Sequence, residues 1–392
     1  MPTQFSVLSL LRHGTIALMV PSAAMAHTDL SRFEDNIFIS APEVVSCTLE
    51  DGTAASCYKI TVNYLPEGLD IGPFCPVTID DEGGLWDWDG ANAKLYRIDK
   101  DFLTMLDELG YRFFDEDGNV YIVDNANTRP EADHACINVT ADPDVTVTML
   151  LPIDPKMAED PEEIGTVGKV GVALDGVPVF ADAPSVLDTG HMPALDLCGG
   201  HIDPGGWYHW HATATDVETV FETEGVDAHC HLEQDKTAQF GYAFDGYPMF
   251  GSDEEDGSKP EDLDTCNGHV GETSLGITYH YHASEDFPNL PPCLVGVQAQ
   301  DNFTTTASVG IGAPRGEDMG HAAGHEGTIG AGHMNTPPGF DEAAGKLGVT
   351  ATELLQALIS SGQDRPDLAV AAETLGVSED ALTEALPQPP RQ

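Results

Sequence analysis

Tyr208-His209-Trp210-His211-Ala212, repeated further along as Tyr279-His280-Tyr281-His282-Ala283, decides how this chain is read. Side chains in a strand alternate between the two faces. Each segment therefore presents two imidazoles on one face and two aromatic rings on the other. Strict alternation with aromatic enrichment predicts a β-strand in both places. Two imidazoles at this spacing can chelate one transition-metal ion, while the aromatic face anchors the strand in a core.

The segments are parts of a longer duplication. Gly171-Val-Ala-Leu-Asp-Gly-Val-Pro-Val-Phe180 recurs as Gly241-Tyr-Ala-Phe-Asp-Gly-Tyr-Pro-Met-Phe250. Leu195-Asp196-Leu-Cys198-Gly-Gly-His201 recurs as Leu263-Asp264-Thr-Cys266-Asn-Gly-His269, and a later cysteine, Cys230 or Cys293, closes each copy. Matching blocks in a shared order point to a duplicated module, with copies at about 171–235 and 241–297 inside a region 141–300. Asp175-Gly176 and Asp245-Gly246 split apolar runs and predict hairpins. The expected fold is mainly β: a duplicated hairpin and strand module with pseudo-twofold symmetry, stabilised by disulfides, plus a small helical repeat at the C-terminus. Symmetry favours Cys198–Cys230 and Cys266–Cys293, but crossed pairings between copies are equally allowed.

Around the His-x-His pairs, each copy adds a third histidine, His201 or His269, in a Cys-x-Gly-His turn. His209, His211, His280 and His282 are the first candidate ligands, and His201 and His269 complete a three-imidazole set with an open position. Asp196 and Asp264 are candidates as ligands or as groups that orient a ligand histidine, and Tyr208 and Tyr279 as neighbours of that kind. The competing reading is a structural network in which the histidines bond to aspartates and tyrosines. Imidazole suits several metals. Copper or zinc is expected, with copper favoured by His27 behind a cleavage site and by a Gly-rich stretch carrying Met319, His321, His325, His333 and Met334. The sequence contains no His-Glu-x-x-His, no Gly-x-Ser-x-Gly elbow and no phosphate loop. Whether the chain is an enzyme stays open on the sequence.

Residues 1–26 read as a signal peptide: Arg12, a short apolar run, then Ala24-Met25-Ala26. All eight cysteines lie beyond it, and none forms a Cys-x-x-Cys pair. Cys47, Cys57, Cys75, Cys136, Cys198, Cys230, Cys266 and Cys293 are thus disulfide candidates in a periplasmic or secreted protein. Residues 27–140 read as a β-rich segment with a short helix at Phe102–Leu109. Asp115–Asn119 fits a hairpin turn better than a calcium loop. Residues 301–338 read as a linker, and 339–390 as a helical repeat that could engage a protein partner. The 66 acidic against 16 basic residues give a net charge of −50. Such a surface repels nucleic acid and anionic lipid and attracts cations, and no segment is apolar for long enough to span a bilayer.

The Tyr-His-aromatic-His strands, the Asp-Gly-x-Pro-x-Phe and Cys-x-Gly-His elements, and Phe287-Pro288…Cys293-Leu-Val-Gly296 together resemble the YHYH-domain family over roughly residues 140–300. The resemblance implies export and the duplicated fold unit. It brings no reaction with it.

Overall fold

The computed structural model describes residues 27–65, 68–124, 134–314, 340–347, 349, 354, 357 and 368–386. The expected signal peptide, most of the His/Met-rich stretch and much of the first C-terminal helix pair lie outside the described residues. Two compact units divide the chain, one ending at Gly316 and the other beginning at Glu317.

An eight-stranded sheet organises the first unit. Its strands in chain order are β1 (Lys169–Ala173), β2 (Pro178–Phe180), β3 (Gly200–Ile202), β4 (Tyr208–Trp210), β5 (Gln239–Ala243), β6 (Pro248–Phe250), β7 (Gly268–Thr273) and β8 (Gly276–His282). Across the sheet they run β3-β4-β2-β1-β5-β6-β8-β7. At the centre β1 and β5 pair antiparallel, with Val172 opposite Tyr242. Glycines at Gly171 and Gly241 permit this approach, because a Cβ there would lie 2.2 Å from the Tyr242 carbonyl and 2.5 Å from the Val172 carbonyl. Each central strand then turns through an Asp-Gly hairpin, whose glycine has positive φ (84° at Gly176, 91° at Gly246). Outward of each hairpin lies a parallel neighbour, Val179 pairing with Trp210 and Met249 with Tyr281.

The upstream segment shares the core of this sheet. Strands Glu43–Thr48 and Ala54–Val62 join Val147–Pro152 and Phe303–Thr305 in a four-stranded sheet. Ile60, Val62, Met149, Val172, Val179 and Trp210 belong to one buried apolar cluster. The short helix spans Lys100–Glu108 and is capped by the Asp99 carboxylate, which accepts the Phe102 N–H at 2.9 Å. Asp115 sits in a hairpin turn, bridging Phe114 to Val120, and its carboxylate accepts the N–H groups of Asp117 and Asn119.

Four disulfides close the unit: Cys47–Cys57, Cys75–Cys136, Cys198–Cys230 and Cys266–Cys293. The protein is thus mainly β with all eight cysteines paired. The uncrossed pairing leaves each Cys-x-Gly-His turn tied to its own downstream segment.

In the second unit, helices Phe340–Leu347, Leu368–Leu375 and Glu379–Ala385 surround a small core that includes Ala343, Leu354, Ala371 and Leu382. Ser378 caps the last helix by accepting the Ala381 N–H at 3.2 Å. No helix among the described residues is long and apolar enough to cross a membrane.

Candidate metal centres

The register of two antiparallel pairs brings the histidines together. His201 on β3 lies directly opposite His209 on β4, and His269 on β7 directly opposite His280 on β8. Cross-strand neighbours of this kind approach within about 5 Å at Cβ. His211 and His282, two residues on, share the face of His209 and His280. Two groups result: His201, His209 and His211; and His269, His280 and His282 with Glu254. Within each group, one ligand atom per residue lies within 4.8 Å of every other. Five strand-to-strand steps separate β4 from β8, about 24 Å at the usual spacing, so these are two sites and not one.

Both ligand-bearing turns are built alike. Asp196 accepts the Cys198 and Gly200 N–H groups at 3.0 and 3.1 Å and the Tyr208 hydroxyl at 2.6 Å. Asp264 accepts the Cys266 and Gly268 N–H groups at 2.8 and 3.2 Å and the Tyr279 hydroxyl at 2.9 Å. The two aspartates therefore hold the turn and the tyrosine, and do not stand among the converging ligand atoms as a direct-ligand reading would need. Gly200 and Gly268 are required because a Cβ at either would sit 2.1 Å from the tyrosine hydroxyl. The other aromatic of each strand bonds to the hairpin aspartate. Trp210 Nε1 donates to Asp175 at 3.2 Å, and the Tyr281 hydroxyl donates to Asp245 at 2.6 Å. Trp210 thus makes the bond to the hairpin aspartate that Tyr281 makes in the other copy, though the Tyr281 hydroxyl also accepts the Val295 N–H at 2.7 Å.

Hydrogen bonds on the far side of the rings fix where the lone pairs point. In the first group, His201 Nδ1 bonds the Pro193 carbonyl at 3.2 Å and His211 Nδ1 the Ala181 carbonyl at 2.6 Å. In the second, His269, His280 and His282 use Nδ1 on the carbonyls of Glu261, Thr278 and Gly251, at 3.0, 3.2 and 2.8 Å. A carbonyl only accepts, so these Nδ1 atoms carry the hydrogen. In a neutral ring Nε2 then presents a lone pair, and only His269 Nε2 also has a carboxylate within hydrogen-bond distance, that of Glu254 at 3.1 Å. Yet Nε2 of His201 is 3.1 Å from Nε2 of His211, and Nε2 of His269 is 3.1 Å from Nε2 of His280. Facing lone pairs at that distance repel unless a cation lies between them. His282 Nε2 is buried with no hydrogen-bond partner.

Four-coordinate zinc holds nitrogens at about 2.0–2.1 Å, which sets tetrahedral N···N separations of about 3.3 Å. The closest Nε2 pairs, at 3.1 Å, come near this. A ligand imidazole also ordinarily donates its second nitrogen to a carbonyl, as five of these six do. Burial favours the neutral, ligating form of five rings: it pushes His201 and His280 down to about 4, lowers His282, and puts His209 and His211 well below the usual histidine value.

The groups differ in one respect. Glu254 Oε1 lies 3.1 Å from His269 Nε2, and Oε2 lies 3.8 and 3.7 Å from His280 and His282 Nε2. Among the described residues no carboxylate joins the first group. An expected set of three imidazoles with an open position therefore describes the first group only. Glu254 had no signal in the repeat, because Pro184 stands at the corresponding place four residues after Phe180. His27 pairs with Asp154 and joins neither group.

Residues 148–261 match the model of the YHYH protein family. The YHYH match takes in the first histidine group and Glu254, and ends before the literal Tyr279–His282 strand. It is shorter than the stretch of roughly 140–300 over which the sequence resembles the family. No curated protein and no solved structure matches the chain.

Proposed function

We propose that this is an exported metal-binding protein, periplasmic or secreted, whose duplicated YHYH modules each hold a transition-metal ion, copper or zinc. The ligands are His201, His209 and His211 in one module, and His269, His280 and His282 with Glu254 in the other. The facing Nε2 lone pairs of His201 and His211 at 3.1 Å carry this reading, because a hydrogen-bond network would place a donor opposite each acceptor, and the buried, unpartnered Nε2 of His282 supports it in the second module. The matched registers around the Val172–Tyr242 pair support two copies related by a pseudo-twofold axis. Four disulfides support an oxidising compartment. The role is metal storage, delivery or stabilisation of the fold, and the C-terminal helices form a repeated pair offering a surface to a protein partner.

The test is elemental analysis of the exported protein beside a variant with His209, His211, His280 and His282 all changed to Ala. One to two equivalents of copper or zinc, lost in a variant that keeps its disulfides, are expected. A wild type that carries none and takes none up returns the histidines to a purely structural role in a cell-envelope interaction protein. A second reading, a metal-dependent enzyme, draws on the first group alone. Three imidazoles with no fourth protein ligand leave a position where an ion could polarise water or bind substrate. Turnover abolished by His209→Ala with the second site intact would establish it.

A further inference from the structure

We infer that the two sites take different ions: a divalent metal of the zinc type at His269, His280, His282 and Glu254, and copper(I) at His201, His209 and His211. The inference rests on the metal-binding reading above and concerns what separates the two sites. Both bring Nε2 atoms to 3.1 Å, from His201 to His209 and to His211 in the first and from His269 to His280 in the second. Their charge differs: among the described residues a carboxylate joins the second group only.

The second site carries a formal negative charge within reach of all three imidazoles, at 3.1–3.8 Å. Glu254 is about one-fifth exposed, so the site opens towards solvent on its carboxylate side. A hard anionic oxygen with three nitrogens suits a four-coordinate divalent ion and removes half of its charge. The neighbouring Asp253 is committed elsewhere, accepting from Lys236 and Lys259 at 3.0 and 2.7 Å. Glu254 is therefore the anion available to the ion.

The first site offers neutral nitrogens only. His209 and His211 are 2% and 1% exposed, no deeper than His280 and His282 of the second site, and aromatic rings wall His209. The Trp207 and Phe180 rings lie 4.8 and 5.2 Å from that of His209, and Phe303 packs against both at 5.2 Å. The self-energy of an ion in a poorly polarisable setting rises with the square of its charge, so an uncompensated divalent ion costs about four times what a monovalent one does. Copper(I) carries a single charge, bonds readily to imidazole and is content with three ligands. A divalent ion here would have to bring its own anion.

The decisive experiment loads the full exported chain with zinc(II) alone, with copper(I) alone under anaerobic conditions, and with both. Occupancy is read by elemental analysis, and affinity by competition with a chromophoric chelator for each ion. The expected product of mixed loading is one zinc and one copper. Glu254→Gln, which keeps the side chain's shape, should weaken zinc at least tenfold and leave copper(I) unchanged. His209→Ala with His211→Ala should remove copper(I) and leave zinc. Intact disulfides and an unchanged near-ultraviolet circular dichroism spectrum check folding in each variant. Zinc binding unaffected by Glu254→Gln, or zinc filling both sites with similar affinity, would overturn the assignment while leaving metal binding itself standing. Failure of the wild type to bind either ion would bring down both.

Discussion

At Gly271 the backbone of β7 runs against the second histidine group. A Cβ there would lie 2.9 Å from His280 Cε1 and 3.2 Å from His269 Nε2. The sequence offers no hint of this, since Asp203 occupies the corresponding place after His201. Gly271→Ala should displace two rings by a few tenths of an ångström. We expect a roughly tenfold loss of metal affinity at the second site, with the first site untouched, measured by chelator competition. Asp245 supports a different prediction. Fully buried, it accepts from the Tyr281 hydroxyl and the Gly296 and Tyr247 N–H groups, and burial still pushes it up to about 6. In the unfolded chain it would titrate near 3.9. A raised folded value means that the native state holds the proton more tightly. The stability this contributes is fully present below about pH 4 and lost as pH rises through 6. Its carboxyl carbon should titrate near pH 6 by NMR, and a midpoint near 4 would contradict the assignment.

Elements explain why some of the architecture was readable and some was not. The period-two alternation of Tyr208–His211 and Tyr279–His282 announced strands, and Asp-Gly announced the hairpins, because both signals are local. The order β3-β4-β2-β1-β5-β6-β8-β7 is not local. It depends on β2 taking β4 as a parallel neighbour across a long connection, and no spacing specifies that. The roles of Asp196 and Asp264 were open for the same reason. Near a histidine in sequence they read as ligand partners, whereas in space the turn points them at tyrosine hydroxyls and backbone N–H groups. Glu254 went unread because the repeat directs attention to positions that match, and Pro184 does not. Disulfides complete the turns: Cys198 and Cys266 each precede a ligand histidine by three residues. Replacing Cys266 and Cys293 together by Ala opens a 27-residue loop, at a cost of about 3–4 kcal/mol in denaturant unfolding. Metal at the second site should fall further than at the first, since only its turn has lost the tether.

At the scale of the whole molecule, charge dominates. With 66 acidic and 16 basic residues the chain repels itself when compact. Exposed charges are screened over about 10 Å at 0.1 M salt and about 3 Å at 1 M. We therefore expect the thermal midpoint of the metal-free protein to rise by several degrees between 0.05 and 1 M sodium chloride, followed by circular dichroism. A flat profile would mean that repulsion among the surface charges does not limit the stability. The same field enriches cations around the molecule, so metal uptake should be faster at low salt.

The bond from Trp210 to Asp175 bears on how such chains diverge. The hairpin aspartate asks its partner strand for a donor at the tip of a flat ring, and indole N–H and phenol O–H both answer. Both rings offer that proton, and only the phenol also accepts, as Tyr281 does from the Val295 N–H at 2.7 Å. As the proposed ligands, the histidines have no such latitude, because a ligand must bring a lone pair to one point in space. Drift should thus be free to exchange tyrosine and tryptophan at the position of Trp210 while the histidines stay frozen, so that kinship outlasts the spelling by which it is recognised.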